Sequence, residues 1–273
     1  MSLEIPTYST LALSLEAQVA TVTLNRPDKA NSMNLAMWSE LQACFDWLDA
    51  EPSVRAVVLA GNGKHFCAGL DLAIFESLQG SSTDPARRAE HFRTTVLEFQ
   101  RNLTAIEKCR KPVLAAIHSS CIGGGVDMTC CADMRYASED ATFSIREIDI
   151  GMAADVGNLQ RLPKIIPDGV ARELAYTGRN MTAQEAREVG FLNRVFPDRE
   201  TLLAEVQAIA SAIAAKSPLA IRSSKEMLLY TRDHSVADGL NHVATWNAGM
   251  LSYTDLQAGL QAQMEKRQAV YED

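Results

Sequence analysis

The chain has 273 residues, of which 47% are hydrophobic, and this is enough for one large folded domain with a full core. Its formal net charge of -8 argues against a protein that coats nucleic acid, although local N–H groups and a few basic residues could still bind an anionic ligand. No stretch approaches the roughly 20 apolar residues that a membrane span needs, so no membrane partner is expected.

Both termini lack the features of a targeting segment. Residues 1–10 have no basic region followed by an apolar stretch, and they lack the Arg-rich character of a transit peptide. The final residues, Tyr271, Glu272 and Asp273, are not a peroxisomal or endoplasmic-reticulum address. The six cysteines form no CxxC pair, and no histidine is spaced to complete a zinc site. We therefore expect a cytoplasmic protein with reduced thiols and no metal site.

The first two-thirds of the chain alternates predicted strands and helices. The run AQVATVTL predicts a strand over 17–24. Asn34 can cap a helix that carries one apolar stripe, formed by Leu35, Trp38, Leu41, Phe45 and Leu48. Further strands are predicted over 54–59, 111–117, 133–137, 141–145 and 192–196, a helix over 84–108, and a tight loop opening a helix over 123–131.

The last third is helical in pattern. Thr182 to Glu185 forms a capping-box pattern, and Gly190 suits the C-terminal end of that helix. Three more helices are predicted over 202–215, 218–230 and 255–271. This order predicts an α/β core over residues 1–200, followed over 201–273 by a C-terminal helical region that we expect to serve oligomerisation.

Three carboxylates follow a triple glycine in mostly apolar surroundings. Asp127 comes directly after residues 123–126. Glu147 lies in the segment 144–151, and Asp155 lies in the segment 152–157. Acids are costly to bury unless they are partnered or used. Glycines allow a close approach of the backbone to a ligand and leave N–H groups free to donate. The pattern therefore predicts a site for proton transfer next to a carbonyl group.

Each acid also has a purely structural interpretation. Asp155 could cap a helix that begins one residue later. Glu147 could pair with Arg146 or Arg161 at the surface. Asp127 could be a first-turn acid that the helix dipole favours. Burial of the side chains in a cavity would distinguish the catalytic interpretation from these alternatives.

Common nucleotide-binding and nucleophile motifs are incomplete. Met128 stands where a dinucleotide fingerprint needs its third glycine, and His65 stands where a phosphate loop needs Ser or Thr. The chain has no G-x-S-x-G nucleophile elbow.

Four stretches, taken in order, resemble the enoyl-CoA hydratase/isomerase, or crotonase, superfamily. Residues 25–32 (NRPDKANS) look like its first CoA-contacting loop, and residues 65–72 (HFCAGLDL) look like its first oxyanion loop. Residues 122–127 (IGGGVD) look like the second oxyanion loop, and 159–163 (LQRLP) matches the segment that follows the active site. The resemblance implies a crotonase-like spiral of repeated ββα units with a C-terminal helical region.

Within this superfamily, residues 146–157 are most similar to Δ3,5-Δ2,4-dienoyl-CoA isomerases. Typical hydratases carry a Glu where Asp127 stands and a glycine-rich stretch where residues 153–155 stand. Further similarity to the isomerases lies in residues 232–236 and 244–247.

The resemblance implies conversion of a 3,5-dienoyl-CoA thioester into the 2,4-dienoyl isomer by a 1,5 proton shift. Glu147 would remove a proton at C2, and Asp155 would protonate C6. The N–H groups of Leu70 and Gly124 would stabilise the dienolate oxygen. Asp127 would either take part directly or raise the pKa of a neighbouring acid through like-charge coupling.

The same resemblance implies the substrate contacts and the assembly. The substrate-binding residues carried over from the family are Lys29, Ala30, Ala68, Gly69, Leu70, Asp71, Leu72 and Gly124. Asp71 is also expected to cap a helix after the first oxyanion loop. No cofactor is implied beyond the CoA of the substrate, and the expected assembly is a homotrimer or homohexamer acting in fatty acid β-oxidation.

Two other functions stay open on the sequence alone. One is hydration of a 2-enoyl-CoA on the same fold, with Asp127 and Glu147 handling the water. The other is a crotonase-like protein without catalysis that serves as a binding or scaffold subunit. Asp155 discriminates the isomerase from the hydratase, because only the isomerase needs an acid at that end of the substrate.

Overall fold

A computed structural model describes residues 4–78 and 80–273 of the chain. Residues 1–3, part of the N-terminal segment over 1–10 in which no targeting pattern was expected, lie outside these described residues. Within the described ranges, no helix is both long and apolar enough to cross a membrane.

Nine strands in the described residues form two sheets. The strands are β1 Leu11–Glu16, β2 Val19–Leu24, β3 Ala56–Gly61, β4 Val113–Ile117, β5 Ser120–Ile122, β6 Met134–Ser138, β7 Thr142–Ser144, β8 Met181–Thr182 and β9 Arg194–Phe196. The main sheet has the order β1-β2-β3-β4-β6-β9, in which β1 is antiparallel to β2 and the other neighbours are parallel. The second sheet has the order β5-β7-β8.

Eleven helices in the described residues cover and connect these sheets. They are α1 Leu35–Ala50, α2 Phe75–Leu78, α3 Pro85–Lys108, α4 Gly124–Cys130, α5 Asn158–Arg161, α6 Asp168–Thr177, α7 Ala183–Glu188, α8 Arg199–Ala214, α9 Pro218–Thr231, α10 Val236–Met250 and α11 Tyr253–Met264. The strand–helix alternation ends after β9, as the α/β prediction requires, and the remaining elements are helices.

Both faces of the main sheet are buried. Successive side chains of its strands point to opposite faces, so each strand contributes to the packing on both sides. In β3, Val57 and Leu59 join the larger core cluster, whereas Val58 and Ala60 join a second cluster on the other face. That second face is covered by α8 through residues spaced four apart, Leu202, Val206, Ala210 and Ala214. The predicted boundary at residue 200 therefore falls inside a helix that packs on the sheet.

Local capping signals in the sequence are confirmed by the structure. The Asn34 side chain accepts a hydrogen bond from Met37 N at 3.0 Å and starts α1. Trp38, Leu41, Phe45 and Leu48 of the predicted stripe are buried, while Leu35 at the helix start is exposed. The Thr182 hydroxyl accepts from Glu185 N and starts α7.

Other elements differ from the sequence-based expectation. Strand β1 was not predicted, because its turn to β2 uses Ala17 and Gln18 at φ 45° and 70° rather than a glycine or asparagine. Helices α6 and α10 were also not predicted. The last helix was predicted to reach residue 271 but ends at Met264. Lys266 adopts the left-handed conformation at φ 54°, and Arg267 N donates to Ala262 O, which closes the helix without a glycine.

Candidate active site

Two glycine-containing loops lie side by side, one following β3 and the other following β5. Cys67 N donates to Ser120 O at 3.0 Å, and Ile122 N donates to Cys67 O at 2.9 Å. A Cβ built on Gly69 would lie 2.9 Å from Ile122 O, and one built on Gly125 would lie 2.9 Å from Cys67 Cβ. The two loops therefore approach each other too closely for larger residues at these two positions.

The predicted oxyanion donors are free to donate to a ligand. Gly124 is the first residue of α4, where a helix leaves its N–H groups without intrahelical partners. Within residues 4–78 and 80–273, neither Leu70 N nor Gly124 N donates to a protein acceptor. Both residues line the same cavity, so both amides are available to a single carbonyl oxygen there.

A cavity of about 320 Å³ opens beside these amides. Its walls are mostly apolar, and Trp38 and Phe99 stack within it with ring centroids 4.4 Å apart. The residues that line it are Trp38, Ala68, Gly69, Leu70, Leu72, Leu78, Phe92, Thr95, Val96, Phe99, Ile122, Gly123, Gly124, Arg146, Glu147, Ile150, Met152, Asp155 and Val156. The structure thus brings to one cavity both predicted oxyanion residues, two of the three acids and three further predicted substrate contacts, Ala68, Gly69 and Leu72.

Glu147 is the first residue of a short 3-10 turn that follows β7. Its Oε2 atom is buried and has no hydrogen-bond partner among the described residues. Burial raises the pKa of this carboxyl, and the negative charge of Asp155 raises it further. Arg146, one arginine of the surface alternative, does not pair with Glu147, because its guanidinium donates to Ser144 and Asn180.

Arg161, the other arginine of that alternative, is also occupied elsewhere. Its Nε lies 3.0 Å from Glu107 Oε1 in α3. The surface ion pair suggested for Glu147 is therefore not formed, and its carboxyl faces the cavity instead.

Asp155 lies in the irregular segment between that 3-10 turn and α5, and it lines the same cavity. The helix-capping alternative is not observed, because α5 begins at Asn158 and its N-cap is Gly157, with no side-chain cap. The carboxyl is about half buried, and this burial raises its pKa. Asp155 is therefore a second carboxyl in the wall of the cavity that Glu147 also lines.

Asp127 lies beneath the cavity rather than in its wall. It is fully buried on α4, and its two carboxyl oxygens accept from Asn158 N at 2.6 Å and from Asn158 Nδ2 at 3.1 Å. Burial raises its pKa well above the usual range, and the charges of Glu147 and Asp155 add to this effect. The like-charge coupling expected from the sequence thus acts on the pKa of Asp127 itself.

Three predicted substrate contacts lie outside the cavity wall. Asp71 accepts from Ala73 N at 3.2 Å, so it caps a 3-10 turn as expected, and it forms an ion pair with Arg26 at 3.0 Å. Lys29 is exposed, and Ala30 O accepts from Ala68 N at 3.0 Å. The predicted CoA-contacting loop is therefore attached to the first oxyanion loop.

The apolar wall that α3 contributes to the cavity was not predicted from the sequence. Phe92, Val96 and Phe99 recur at the spacing of one helical face and line the cavity together. That spacing is visible in the sequence, although the helix over 84–108 was predicted without an apolar face.

The other chemistry-bearing groups near the site are not activated. Cys67 beside the first loop is buried, and this burial raises the pKa of its thiol to about 12. In the described part of the chain, no group of three or more His, Cys, Asp or Glu residues is arranged to hold a metal ion.

Gly123 is where a small change should disturb the site most directly. Its φ is 51°, and an added Cβ would lie 3.1 Å from Glu147 Oε1. We expect Gly123→Ala to lower the free energy of unfolding by about 1–2 kcal/mol through backbone strain. Displacement of the carboxyl should also lower turnover by about tenfold. Thermal unfolding and steady-state assays measure the two effects.

Gly169→Ala is the matched control for this variant. Gly169 lies in α6, and a Cβ built there meets no atom within 4 Å. It should leave turnover unchanged and hold or raise stability. Equal activity of the two variants would contradict the close contact between Gly123 and the acid.

Comparison with known proteins agrees with this geometry. The chain is 47% identical over 258 residues to a Delta(3,5)-Delta(2,4)-dienoyl-CoA isomerase of Pongo abelii, covering 93% of this chain and 79% of that protein. It is 43% identical over 266 residues to the Arabidopsis thaliana protein of the same name, covering 95% and 96%. An enoyl-CoA hydratase from Bacillus anthracis superposes with a TM-score of 0.88 at 33% identity, covering 97% of this chain and 99% of that one. The crotonase-like fold expected from the motifs is thereby confirmed.

The expected cytoplasmic location is wrong by the same comparison. The Pongo abelii relative is named a mitochondrial protein, and the Arabidopsis thaliana relative is named a peroxisomal one. The expectation failed because it relied on the composition of the two chain ends, which carries no information about the compartments where relatives work.

The family assignment rests on nearly the whole chain rather than on one motif. The sequence pattern of the enoyl-CoA hydratase/isomerase family matches residues 14–273, which include both glycine loops and all three acids. This protein therefore belongs to the enoyl-CoA hydratase/isomerase family.

Proposed function

We propose that this protein converts 3,5-dienoyl-CoA into 2,4-dienoyl-CoA. The observation that supports this most is the presence of two carboxyls, Glu147 and Asp155, in one apolar cavity beside two free backbone N–H groups. Two relatives that carry the same activity in their names are 47% and 43% identical to the chain.

The first half of the reaction uses the amides and Glu147. The thioester oxygen accepts from Leu70 N and Gly124 N, and one such donor is typically worth about 3 kcal/mol of barrier. The ionised Glu147 carboxylate takes a proton from C2. The electron pair of the broken C–H bond spreads over the conjugated chain, and its negative charge collects on the thioester oxygen.

The second half of the reaction uses Asp155. The protonated form of the Asp155 carboxyl gives its proton to C6. A C6–H bond forms as the C2–H bond is lost, so the product is an isomer of the substrate. The shift needs no oxidant, reductant or metal, and CoA enters only as part of the substrate.

The alternative of 2-enoyl-CoA hydration fits the site less well. That reaction would need Asp127 and Glu147 to hold one water between them. Asp127 is fully buried, bound to Asn158 and absent from the cavity wall, whereas Asp155 occupies that wall. The acid that the isomerase needs is accessible, and the acid that the hydratase needs is not.

The alternative of a non-catalytic scaffold leaves the arrangement of the cavity unexplained. A buried carboxyl oxygen without a hydrogen-bond partner costs free energy, and Glu147 Oε2 is such an atom. A protein that does no chemistry would gain stability from an apolar side chain at this position.

We also propose a homotrimer or homohexamer acting on acyl-CoA in fatty acid β-oxidation. Large apolar side chains on the C-terminal helices support an assembly, because Leu228, Leu240, Leu256 and Leu260 are exposed in the single chain. Light scattering coupled to size-exclusion chromatography measures the assembly. A monomer at micromolar concentration would contradict it.

The proposed activity is tested by incubating the protein with 3,5-dienoyl-CoA and, separately, with a 2-enoyl-CoA. The ultraviolet band of the conjugated 2,4-dienoyl thioester should appear with the first substrate. Absence of that band together with hydration of the 2-enoyl-CoA would support the hydratase. Inactivity on both substrates would support the scaffold.

The pH dependence should separate the two acids. Glu147 must be ionised to accept a proton, so exchange of the C2 proton with solvent should increase as the pH rises through its raised pKa. Because the Asp155 charge raises that pKa, Asp155→Asn should move this acidic limb to lower pH. The measurement is deuterium uptake at C2 of recovered substrate over a pH series. An unmoved limb would contradict the coupling between the two carboxyls.

A further inference from the structure

We infer that Gln100 is a positioning residue for Asp155, acting from α3 through the main chain of the acid. This inference rests on the proposed isomerase function and adds to it the group that holds the C6 acid in place. Gln100 is not part of the cavity wall, so it would not touch the substrate.

The contact between the two residues is direct and has one possible sense. Gln100 Nε2 donates to Asp155 O at 2.6 Å, across 55 residues of sequence. A carbonyl oxygen only accepts, so the side-chain amide nitrogen must be the donor. Asp155 itself lies in an irregular segment, where neither a strand nor a helix fixes its carbonyl.

The chain on the far side of Asp155 is held to α3 as well. Gly157 has φ 134°, and a Cβ built there would overlap the guanidinium of Arg161. That guanidinium is bound to α3 through Glu107, at 3.0 Å, and through Thr104, at 3.2 Å. The segment that carries Asp155 is therefore attached to α3 at two places, through the main-chain carbonyl of Asp155 and through the guanidinium of Arg161.

The same helix also forms the apolar wall of the cavity. Val96 and Phe99 line the cavity, and Gln100 follows them by one turn and by one residue. One rigid element thus sets both the surface along which an acyl chain would lie and the carbonyl next to the acid that would protonate it. A displacement of about 1 Å in such a group can cost about 10²-fold in rate.

Loss of this bond should change how the dienolate is partitioned. Once Glu147 has taken the C2 proton, the dienolate either receives a proton at C6 from Asp155 or takes one back at C2. A misplaced Asp155 slows only the first of these steps. In heavy water the returning group is a deuteron, because the Glu147 carboxyl exchanges its proton with solvent, so the recovered substrate gains deuterium at C2.

The test compares wild type, Gln100→Met and Arg101→Met on 3,5-dienoyl-CoA in heavy water. Methionine keeps the length of Gln100 and removes its donor. Arg101 is its exposed neighbour on α3 and serves as the matched control. Formation of the 2,4-dienoyl thioester is followed by its ultraviolet band, and deuterium at C2 of the remaining substrate is followed by mass spectrometry.

Gln100→Met should lower isomerisation by about tenfold while C2 exchange stays within about twofold of wild type. Arg101→Met should change neither rate. If Gln100→Met does not fold, Gln100→Leu, which also lacks the donor, replaces it with the same expected ratio. Equal losses of isomerisation and exchange, or no loss of either, would overturn the positioning role. A wild-type protein that does not isomerise at all would instead refute the proposed function.

Discussion

Glu147→Gln is expected to lower dienoyl-CoA isomerisation by about 10³-fold, because removal of a positioned general base typically costs about 10²- to 10⁴-fold. Glutamine keeps the shape of the side chain but cannot accept the C2 proton. No other ionisable group lines the cavity near the amides except Asp155 and the cationic Arg146, among the residues that the structure describes. Deuterium exchange at C2 should be lost to the same degree, because this exchange depends on the same proton removal.

Stability provides the control for this variant. The buried Glu147 carboxyl has an oxygen without a partner and a pKa raised by burial, so neutralising it should not weaken the fold. We expect the thermal midpoint of Glu147→Gln to equal or exceed that of wild type. Retained isomerisation in a folded Glu147→Gln protein would show that another group removes the proton.

Asp155→Asn is expected to lower isomerisation by about 10²- to 10⁴-fold while leaving C2 exchange in place. Asparagine fills the same space, but its amide cannot supply the C6 proton. The dienolate should therefore still form and return to the substrate. The ratio of exchange to isomerisation, measured in heavy water, should rise by the same factor by which isomerisation falls.

This contrast between the two variants carries the assignment of roles. Glu147→Gln should lose both processes, and Asp155→Asn should lose only one. Turnover that remains intact in Asp155→Asn would refute the isomerase mechanism proposed here. Loss of C2 exchange in Asp155→Asn would instead place both proton transfers on a shared network.

Features set by a few neighbouring residues were predictable from the sequence. The helix starts at Asn34 and Thr182 depend on a side chain and an N–H three residues later, and both are confirmed. The place of Asp127 was not predictable in this way, because its sequence left a first-turn acid and a catalytic acid both open. In the structure its carboxyl accepts from Asn158 N, 31 residues along the chain.

Features that join distant segments were not readable without a structure. Glu147 and Asp155 reach one cavity because the chain turns at Gly151, at φ 77°, between them. The bond from Gln100 to Asp155 spans 55 residues, and neither local sequence predicts it. The family motifs identified the acids, whereas the bond from α3 to Asp155 depends on the fold.

In the proposed complex, Glu147 and Asp155 lie at opposite ends of a conjugated acyl chain whose thioester oxygen is held by two backbone amides. A crystal structure of Glu147→Gln with bound 3,5-dienoyl-CoA tests this most directly, because the variant should not turn the substrate over. We expect the thioester oxygen within about 2.7–3.1 Å of Leu70 N and Gly124 N. C2 should face residue 147, and C6 should face Asp155. A substrate whose acyl chain leaves the cavity, or whose C6 lies far from Asp155, would contradict this account.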